Sequence, residues 1–345
     1  MTTETPAIPV TIIGGYLGAG KTTLLNTLLR GDHGLRLAIL VNDFGSINID
    51  AALIAIHDGE TISLTNGCVC CSMVDNLAIT LLELLGREPP PDQIVIEASG
   101  VADPHRIVFY GAADPRLRLD GLIVVADAET LPLRLRDKYI GELVMRQLVA
   151  ADLIIMSKVD LIDEAQLGGV RELVREIAPR AKVVEAIRGD LPADLLLGIG
   201  ETRVAASSPF EVQHGHDPPA TRQEHDDLFA RWSFVSGRPF DRERLLTTVE
   251  SLPPSVLRAK GLLYVAGDPA HSAVLQLVGR RWTLEVGSPW SGADRRTRLV
   301  VIGPSGSLDT AQLTEDFSFA LADDLRSQAT RSCALHYCGE SSLQS

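Results

Sequence analysis

The chain has 345 residues, 45% of them hydrophobic and 22% charged, so it can bury a normal core, and its length favours two domains. Its formal net charge of −13 argues against unspecific binding to nucleic acid or anionic membranes. No apolar run is long enough to cross a membrane, and the N-terminal MTTETPAIPV lacks a signal pattern. We therefore expect a cytoplasmic protein with reduced thiols, no nucleic-acid partner and no membrane partner.

Strand-like and helix-like patterns alternate through the first part of the chain. Apolar runs that indicate buried strands lie at 8–13, 36–41, 60–65, 93–98, 121–126, 152–157 and 181–185. Helical patterns fall at 21–30, 72–86, 139–150, 163–178 and 190–198. This alternation predicts an α/β domain with a doubly wound, mostly parallel sheet over residues 1–203.

A smaller unit is predicted to follow a linker. Residues 204–228 are mostly polar, contain prolines and lack periodicity, as linkers do. The next elements are strands at 231–236, 260–266, 272–278, 281–286 and 297–302 and a helix at 241–251. They predict a small α+β domain over 229–303. The tail, 304–345, is expected to be partly helical, at 309–326, or disordered.

The segment GYLGAGKT at 15–22 fits the phosphate-binding pattern G-x-x-x-x-G-K-[ST], between an apolar strand and a helix. Glycines let backbone N–H groups curl around phosphate oxygens. We expect Lys21 to neutralise the β- and γ-phosphates and Thr22 to offer its hydroxyl to Mg²⁺. A plain glycine-rich turn before a helix is the alternative. The predicted nucleotide contacts in this loop are Gly15, Gly18, Ala19, Gly20, Lys21, Thr22 and Thr23.

An acid and a second glycine follow another apolar strand. Glu97 ends the run IVIE, and Gly100 comes shortly after it. In P-loop enzymes an acid at such a strand end holds Mg²⁺ through water or orients the attacking water. We assign Glu97, Gly100 and Lys21 to catalysis, with the Gly100 N–H directed to the γ-phosphate. The alternative for Glu97 is a carboxylate that faces solvent.

Two further segments fit nucleotide handling. SKVD at 157–160 ends an apolar strand, and the Asp160 carboxylate can accept both N1–H and N2–H₂ of guanine while the Lys158 stem packs on the purine. Ser157 stands where Asn or Thr is usual. The NDFG at 42–45 suits a switch that responds to γ-phosphate and Mg²⁺. Each segment also has a simpler interpretation as a polar turn.

Three of the five cysteines lie together in the segment NGCVCCS, residues 66–72, ahead of a predicted helix. Cys68, Cys70 and Cys71 can reach one soft ion at about 2.3 Å, and the helix N-terminus favours thiolates. Three ligands leave a fourth position open, which Asp43, Glu97, water or a client can fill, and an open site suits metal delivery. A redox dithiol and buried structural cysteines are the alternatives.

Two weaker clusters lie in polar regions. Linker residues His214, His216 and His225 can catch metal weakly, but a solvated linker is the favoured interpretation. Cys333, His336 and Cys338 can form an accessory site, although a disordered tail explains them more simply.

The chain resembles the CobW-like GTPases, P-loop proteins that handle transition metals and are related to the urease and hydrogenase maturation GTPases. The resemblance covers residues 8–303, and 231–290 look like the family's smaller C-terminal domain. It rests on GGYLGAGKTTLLN at 14–26, VNDFGSINID at 41–50, TNGCVCCS at 65–72, IEASGVADP at 96–104 and SKVD at 157–160.

The resemblance implies a Mg²⁺-dependent GTPase that binds Zn²⁺ or Co²⁺ through Cys68, Cys70 and Cys71 and passes it to a client. Glu97 matches the family's E-x-x-G acid, and Lys158 and Asp160 match its base-reading pair. Asp43 stands where many members carry Glu, and their histidine-rich run is here reduced to scattered residues. A nucleotide-gated metal store or sensor with little turnover is one alternative, and a P-loop kinase with structural zinc is another. The client and the oligomeric state, a homo-oligomer included, stay open.

Overall fold

The computed structural model describes residues 7–30, 34–41, 60–63, 72–101, 108, 114–197, 228–290 and 295–322. Within these ranges, a first sheet has seven strands, all paired in parallel. They are β1 (Ile8–Gly14), β2 (Leu37–Val41), β3 (Glu60–Ser63), β4 (Gln93–Glu97), β5 (Leu117–Asp127), β6 (Leu153–Ser157) and β7 (Lys182–Ala186). The helices between them are α1 (Lys21–Arg30), α2 (Ser72–Leu85), α3 (Leu131–Arg136), α4 (Gly141–Ala150), α5 (Glu164–Ile177) and α6 (Ala193–Leu196).

The central strands of this sheet are buried on both faces, as their continuous apolar sequences predict. Every residue of β2, β4 and β6 is buried. One face packs against α2, α4 and α5, and the other packs against α1 and α6. The predicted α/β architecture is therefore confirmed.

The strand order, β3-β2-β4-β1-β5-β6-β7, puts β1 near the centre between β4 and β5. All of these strands point the same way, so their carboxyl ends gather at one edge of the sheet. In open α/β sheets, ligands bind at that edge, beside the point where the strand order reverses. The glycine-rich segment lies there because it leaves the end of β1.

A second sheet is antiparallel, and its strands are β8 (Phe229–Ser236), β9 (Arg258–Leu263), β10 (His271–Val278), β11 (Arg281–Pro289) and β12 (Thr297–Pro304). Their order in the sheet is β11-β10-β9-β12-β8. Two helices accompany it, α7 (Arg242–Glu250) and α8 (Thr310–Phe319). Leu313 and Phe317 of α8 belong to the same core as Phe240 and Trp232 of this unit. The second sheet thus has its own hydrophobic core.

The two sheets are also joined to each other. Phe229, Leu257 and Ile302 of the second unit pack into the core on the α1 face of the first sheet. The guanidinium of Arg258 donates to Asp120 Oδ2 on β5 at 2.6 Å, with both side chains buried. Arg281 Nε donates to Asp152 Oδ2 at 2.7 Å, just before β6. The contact is therefore part apolar and part ionic, with one ion pair buried and the other partly exposed.

Several predicted bounds differ from the structure. The helix predicted at 190–198 is the single turn α6, which follows Pro192, and the strand predicted at 121–126 is the longer β5. The short helix α3 was not predicted, because Pro132 and too few residues hide its periodicity. None of the helices in the described ranges is long and apolar enough to span a membrane.

Candidate nucleotide-binding site

The loop between β1 and α1 has the backbone form that a phosphate cradle needs. Gly15, Gly18 and Gly20 have φ angles of 131°, 75° and 99°, which side chains rarely permit. A Cβ on Gly15 would lie 2.2 Å from the carbonyl oxygen of Val125, so no other residue fits there. The loop closes on itself where Ala19 N donates to Tyr16 O at 3.1 Å.

The Lys21 side chain lies against the glycine-rich loop. It is the first residue of α1 and is 7% exposed, and its Nζ donates to Gly15 O at 2.9 Å. Thr22 follows, half-buried, and Thr23 is exposed. The ammonium therefore lies against the backbone that would surround phosphates, which is where a cation is needed for them.

Glu97 and Gly100 lie directly beside the loop. Glu97 ends β4 and pairs with Ile13 of β1, and it is 3% exposed. The alternative of a solvent-facing carboxylate is therefore wrong. A Cβ on Gly100 would lie 2.6 Å from Leu17 N, so the absence of a side chain lets this segment pack on the glycine-rich loop. Ser99, between them, is buried.

The SKVD segment reaches the same loop from β6. Ser157 Oγ donates to Ala19 O at 2.7 Å and is also 3.3 Å from Ala126 O. The serine that departs from the usual residue thus ties β6 to the glycine-rich loop. Lys158 has a left-handed backbone, with φ 57° and ψ 31°, and Asp160 is exposed in the next turn. The Asp160 side chain is therefore accessible from solvent.

Asp127, which sequence reasoning did not identify, is the partner of Lys158. It ends β5, and its Oδ2 accepts from Lys158 Nζ at 2.8 Å. Burial alone would raise the pKa of Asp127, but the hydrogen bonds from Lys158 and Thr130 outweigh it and hold the pKa below its ordinary value. The signal in the sequence is an acid at the end of an apolar strand, the same signal that identified Glu97.

Arg134 is the second contributor that the sequence did not reveal. It lies on α3, and its guanidinium donates to Leu17 O at 2.6 Å. The same group lies 4.7 Å from the ring centroid of Tyr16, within the range of a cation–π interaction. The glycine-rich loop is therefore held from outside by a basic side chain, for which no motif in the sequence gave a signal.

The predicted ligands for Zn²⁺ or Co²⁺ belong to segments outside the described residues. Asp43 with the segment 42–45, and Cys68, Cys70 and Cys71, lie outside the described residues. The three linker histidines and the cluster of Cys333, His336 and Cys338 also lie outside them. Among the residues that the structure does describe, no group of three or more His, Cys, Asp or Glu side chains is placed to hold a metal ion.

The fold and the loop together define a P-loop NTPase. The family model for the CobW/HypB/UreG nucleotide-binding domain matches residues 9–185, and that for the cobalamin synthesis protein CobW C-terminal domain matches residues 229–321. The chain therefore belongs to the CobW/HypB/UreG family and is a P-loop GTPase, as its resemblance implied.

Curated relatives are similar over most of their length. "Zinc chaperone CobW" of Sinorhizobium sp is 34% identical over an alignment 330 positions long, which spans 86% of this chain and 92% of that protein. "Zinc chaperone YjiA" of Escherichia coli is 31% identical over 315 positions, spanning 86% of this chain and 94% of that protein. "Zinc-regulated GTPase metalloprotein activator 1" of Dictyostelium discoideum is 27% identical over 365 positions, spanning 86% of this chain and 76% of that protein.

Proposed function

We propose that this protein is a GTP-dependent zinc chaperone of the cytoplasm. It binds Zn²⁺ through Cys68, Cys70 and Cys71, delivers it to a metal-requiring client protein and uses GTP hydrolysis to gate release. The words "zinc chaperone" in the names of bacterial relatives support zinc as the cargo. Co²⁺, which thiolates also bind, is the alternative cargo.

The register at the carboxyl edge of the first sheet carries this proposal. Val41, the last residue of β2, pairs with Glu97 of β4 on one side and with Ser63 of β3 on the other. The segment 42–45 continues the chain directly after Val41, and the cysteines lie between Ser63 and α2. The segment of the proposed switch therefore starts on the strand next to Glu97, and the segment with the proposed metal ligands starts one strand further along the same edge.

The donor set fits Mg²⁺ and a nucleoside triphosphate. Mg²⁺ prefers oxygen ligands and keeps several waters, and the site offers the Thr22 hydroxyl and the buried carboxylate of Glu97. When bound, Mg²⁺ supplies charge neutralisation on the phosphates. The positive-φ glycines would present N–H groups to those phosphates, and Lys21 would turn its ammonium from Gly15 O toward them.

Hydrolysis follows from the same residues. Glu97 orients a water whose oxygen attacks the γ-phosphorus, and the bond to the bridging oxygen breaks with its electron pair going to GDP. The water's proton ends on inorganic phosphate. Gly100 offers its N–H to the γ-phosphate, so the loss of that phosphate frees the segment after Glu97. Asp160 accepts from the N1–H and N2–H₂ groups of guanine, and the Lys158 stem packs on the purine.

We also propose that the chain is divided into a GTPase domain, 1–203, a linker, 204–228, and a smaller domain that begins at 229. Because α8 contributes Leu313 and Phe317 to the core of the second sheet, we extend the smaller domain beyond 303 to include that helix.

The metal site is tested by Co²⁺ binding. One ion should bind per chain with thiolate-to-Co²⁺ charge-transfer absorption, and replacing Cys68, Cys70 and Cys71 with Ser should abolish that absorption. The matched control replaces Cys333 and Cys338 with Ser and should keep it. If the triple variant kept the full absorption and the control variant lost it, the metal site would lie in the tail at Cys333 and Cys338 instead. Affinity should rise with pH, because thiols lose protons on binding.

Gating is tested by measuring Zn²⁺ affinity with Mg²⁺–GTP analogue, with Mg²⁺–GDP and without nucleotide. A coupling of about 1–3 kcal/mol is expected, and zinc should tighten binding of the GTP analogue by the same factor. Equal zinc affinities with both nucleotides would contradict gating. The nucleotide would then control docking of a client instead.

The nucleotide site is tested separately. Lys21→Ala should abolish GTP hydrolysis and nearly abolish triphosphate binding, whereas Glu97→Ala should slow hydrolysis and largely keep binding. Hydrolysis at the parent rate in the Lys21 variant would show that the site is wrongly assigned. A protein that binds zinc and GTP but turns over negligibly, even with client present, would be a metal store or sensor.

A further inference from the structure

The carboxylate of Asp127 contacts two parts of the nucleotide site at once. One oxygen, Oδ2, accepts from Lys158 Nζ at 2.8 Å. The other, Oδ1, accepts from the backbone N–H groups of Glu129 at 3.0 Å and Thr130 at 3.3 Å. The side chain is 2% exposed, so solvent does not compete for either oxygen. The Asp127 carboxylate is therefore held at both oxygens, whereas the side chain of its partner, Lys158, is 36% exposed.

The ion pair restricts Lys158 before any nucleotide arrives. A lysine side chain has many rotamers, and binding must fix them at a cost in entropy. Lys158 has a left-handed backbone directly after β6, and its ammonium contacts the Asp127 carboxylate at the end of the neighbouring strand β5. The methylene stem between these two anchors is the part that would lie against a purine. Such restriction before binding raises affinity because less freedom is lost.

The turn held by Oδ1 leads into α3, which supports the phosphate loop. Arg134 of that helix donates to Leu17 O at 2.6 Å and lies over the ring of Tyr16. One carboxylate therefore supports the base-reading lysine directly and the glycine-rich loop through one helix.

We propose that Asp127 is a positioning residue for guanine nucleotides, which holds Lys158 in the conformation that stacks on the base. The proposal rests on the nucleotide site proposed above. The lysine stem contacts the purine surface, which guanine and adenine share, whereas Asp160 contacts the edge that differs. Asp127 thus contributes to affinity and leaves the choice of base to Asp160.

The chain supplies a matched control for the turn. Asp137 Oδ1 accepts from Tyr139 N at 2.8 Å and Ile140 N at 3.2 Å, the same pair of backbone contacts, ahead of α4. Among the described residues no basic side chain pairs with Asp137. Asp127→Asn keeps the turn acceptor but removes the charge that holds Lys158, and Asp137→Asn makes the same change without a lysine.

The test measures dissociation constants of Mg²⁺–GDP and Mg²⁺–ADP for the parent and four variants of the full chain. These are Asp127→Asn, Asp137→Asn, Lys158→Met, and Asp127→Asn combined with Lys158→Met. Asp127→Asn should weaken GDP binding about fivefold to tenfold with the GDP-to-ADP ratio unchanged, and Asp137→Asn should leave both constants unchanged. The double variant should bind no more weakly than Lys158→Met alone, because contacting residues are coupled.

Two results would overturn the proposal while leaving the nucleotide site intact. In one, the Asp127→Asn variant binds GDP as tightly as the parent. In the other, the loss of GDP affinity caused by Asp127→Asn adds in full to the loss caused by Lys158→Met. A parent protein that binds GDP and ADP equally would overturn the base-site assignment as well. If Asp127→Asn does not fold, Asp127→Glu replaces it, since the longer side chain keeps the charge but displaces the ammonium; unchanged GDP binding would again count against the proposal.

Discussion

Strand β5 carries two buried aspartates whose partners differ in exposure. Asp120 pairs with Arg258 at 2.6 Å, with side chains 0% and 3% exposed, and joins the first sheet to the second. Asp127, at the carboxyl end, pairs with Lys158 at 2.8 Å, with side chains 2% and 36% exposed. Two aspartates on one strand thus differ in surroundings: Asp120 belongs to a closed, fully buried interface, and Asp127 belongs to an open site that is partly exposed.

The difference follows from what each pair must allow. Arg258 also donates to Leu195 O at 3.1 Å, so two nitrogens of its guanidinium are hydrogen-bonded and the group is held in place. The Lys158 side chain stays partly exposed, so a ligand can cover it. Substitutions at the closed pair should therefore change stability, and substitutions at the open site should change nucleotide binding.

The largest effect is expected from Arg258→Met, which leaves the Asp120 carboxylate buried without its main partner. The free energy of unfolding should fall by about 3–5 kcal/mol, measured by urea titration. Adding Asp120→Asn should recover much of that loss, because the unpaired charge is gone. A loss below about 1 kcal/mol would mean that water reaches Asp120, and the contrast between the two aspartates would fail.

Asp160→Asn should act at the open site alone. The preference for GTP over ATP should fall by about 1–3 kcal/mol, since an amide cannot accept both guanine donors. The free energy of unfolding should stay within about 0.5 kcal/mol of the parent value, because Asp160 is exposed. Competition titrations with GTP and ATP measure the change in nucleotide preference. Equal affinities for the two nucleotides in the parent would contradict guanine recognition.

Acid should weaken the closed pair. Burial would raise the pKa of Asp120, but the charges of Arg258 and Lys260 outweigh it, so the pKa lies below its ordinary value. A depressed pKa means stability that is complete above about pH 4 and is lost as pH falls toward the folded-state pKa. Urea titrations at falling pH should show this loss of stability, and a variant with both Asp120→Asn and Arg258→Met should lack it.

Alkali should have a smaller effect at the same interface. Burial lowers the pKa of Lys182 to about 8, although its Nζ donates to Pro253 O at 3.0 Å. The unfolded chain then binds more protons than the folded one between about pH 8 and pH 10, so stability should rise across that window. We expect a gain on the order of 1 kcal/mol after screening by solvent. Lys182→Met should abolish the rise, and a rise that persists would assign it to another group.

Local sequence patterns predicted most of the elements and the loop. The alternation of apolar strands and helices gave the parallel sheet, and GYLGAGKT gave a loop whose glycines have positive φ angles. Both signals are local, because burial on two faces and left-handed backbone restrict the residue types at each position. Such restrictions are visible without knowledge of the neighbours.

What only the tertiary structure decided is which side chains meet across the sheet. Ser157 reaches Ala19, Arg134 reaches Leu17, and Arg258 reaches Asp120, in each case across more than a hundred residues of chain. These contacts depend on the strand order and on how the second sheet docks, neither of which a local pattern records. The sequence by itself determined a P-loop and a strand-end acid; the pairing of Asp127 with Lys158 required β5 and β6 to lie side by side.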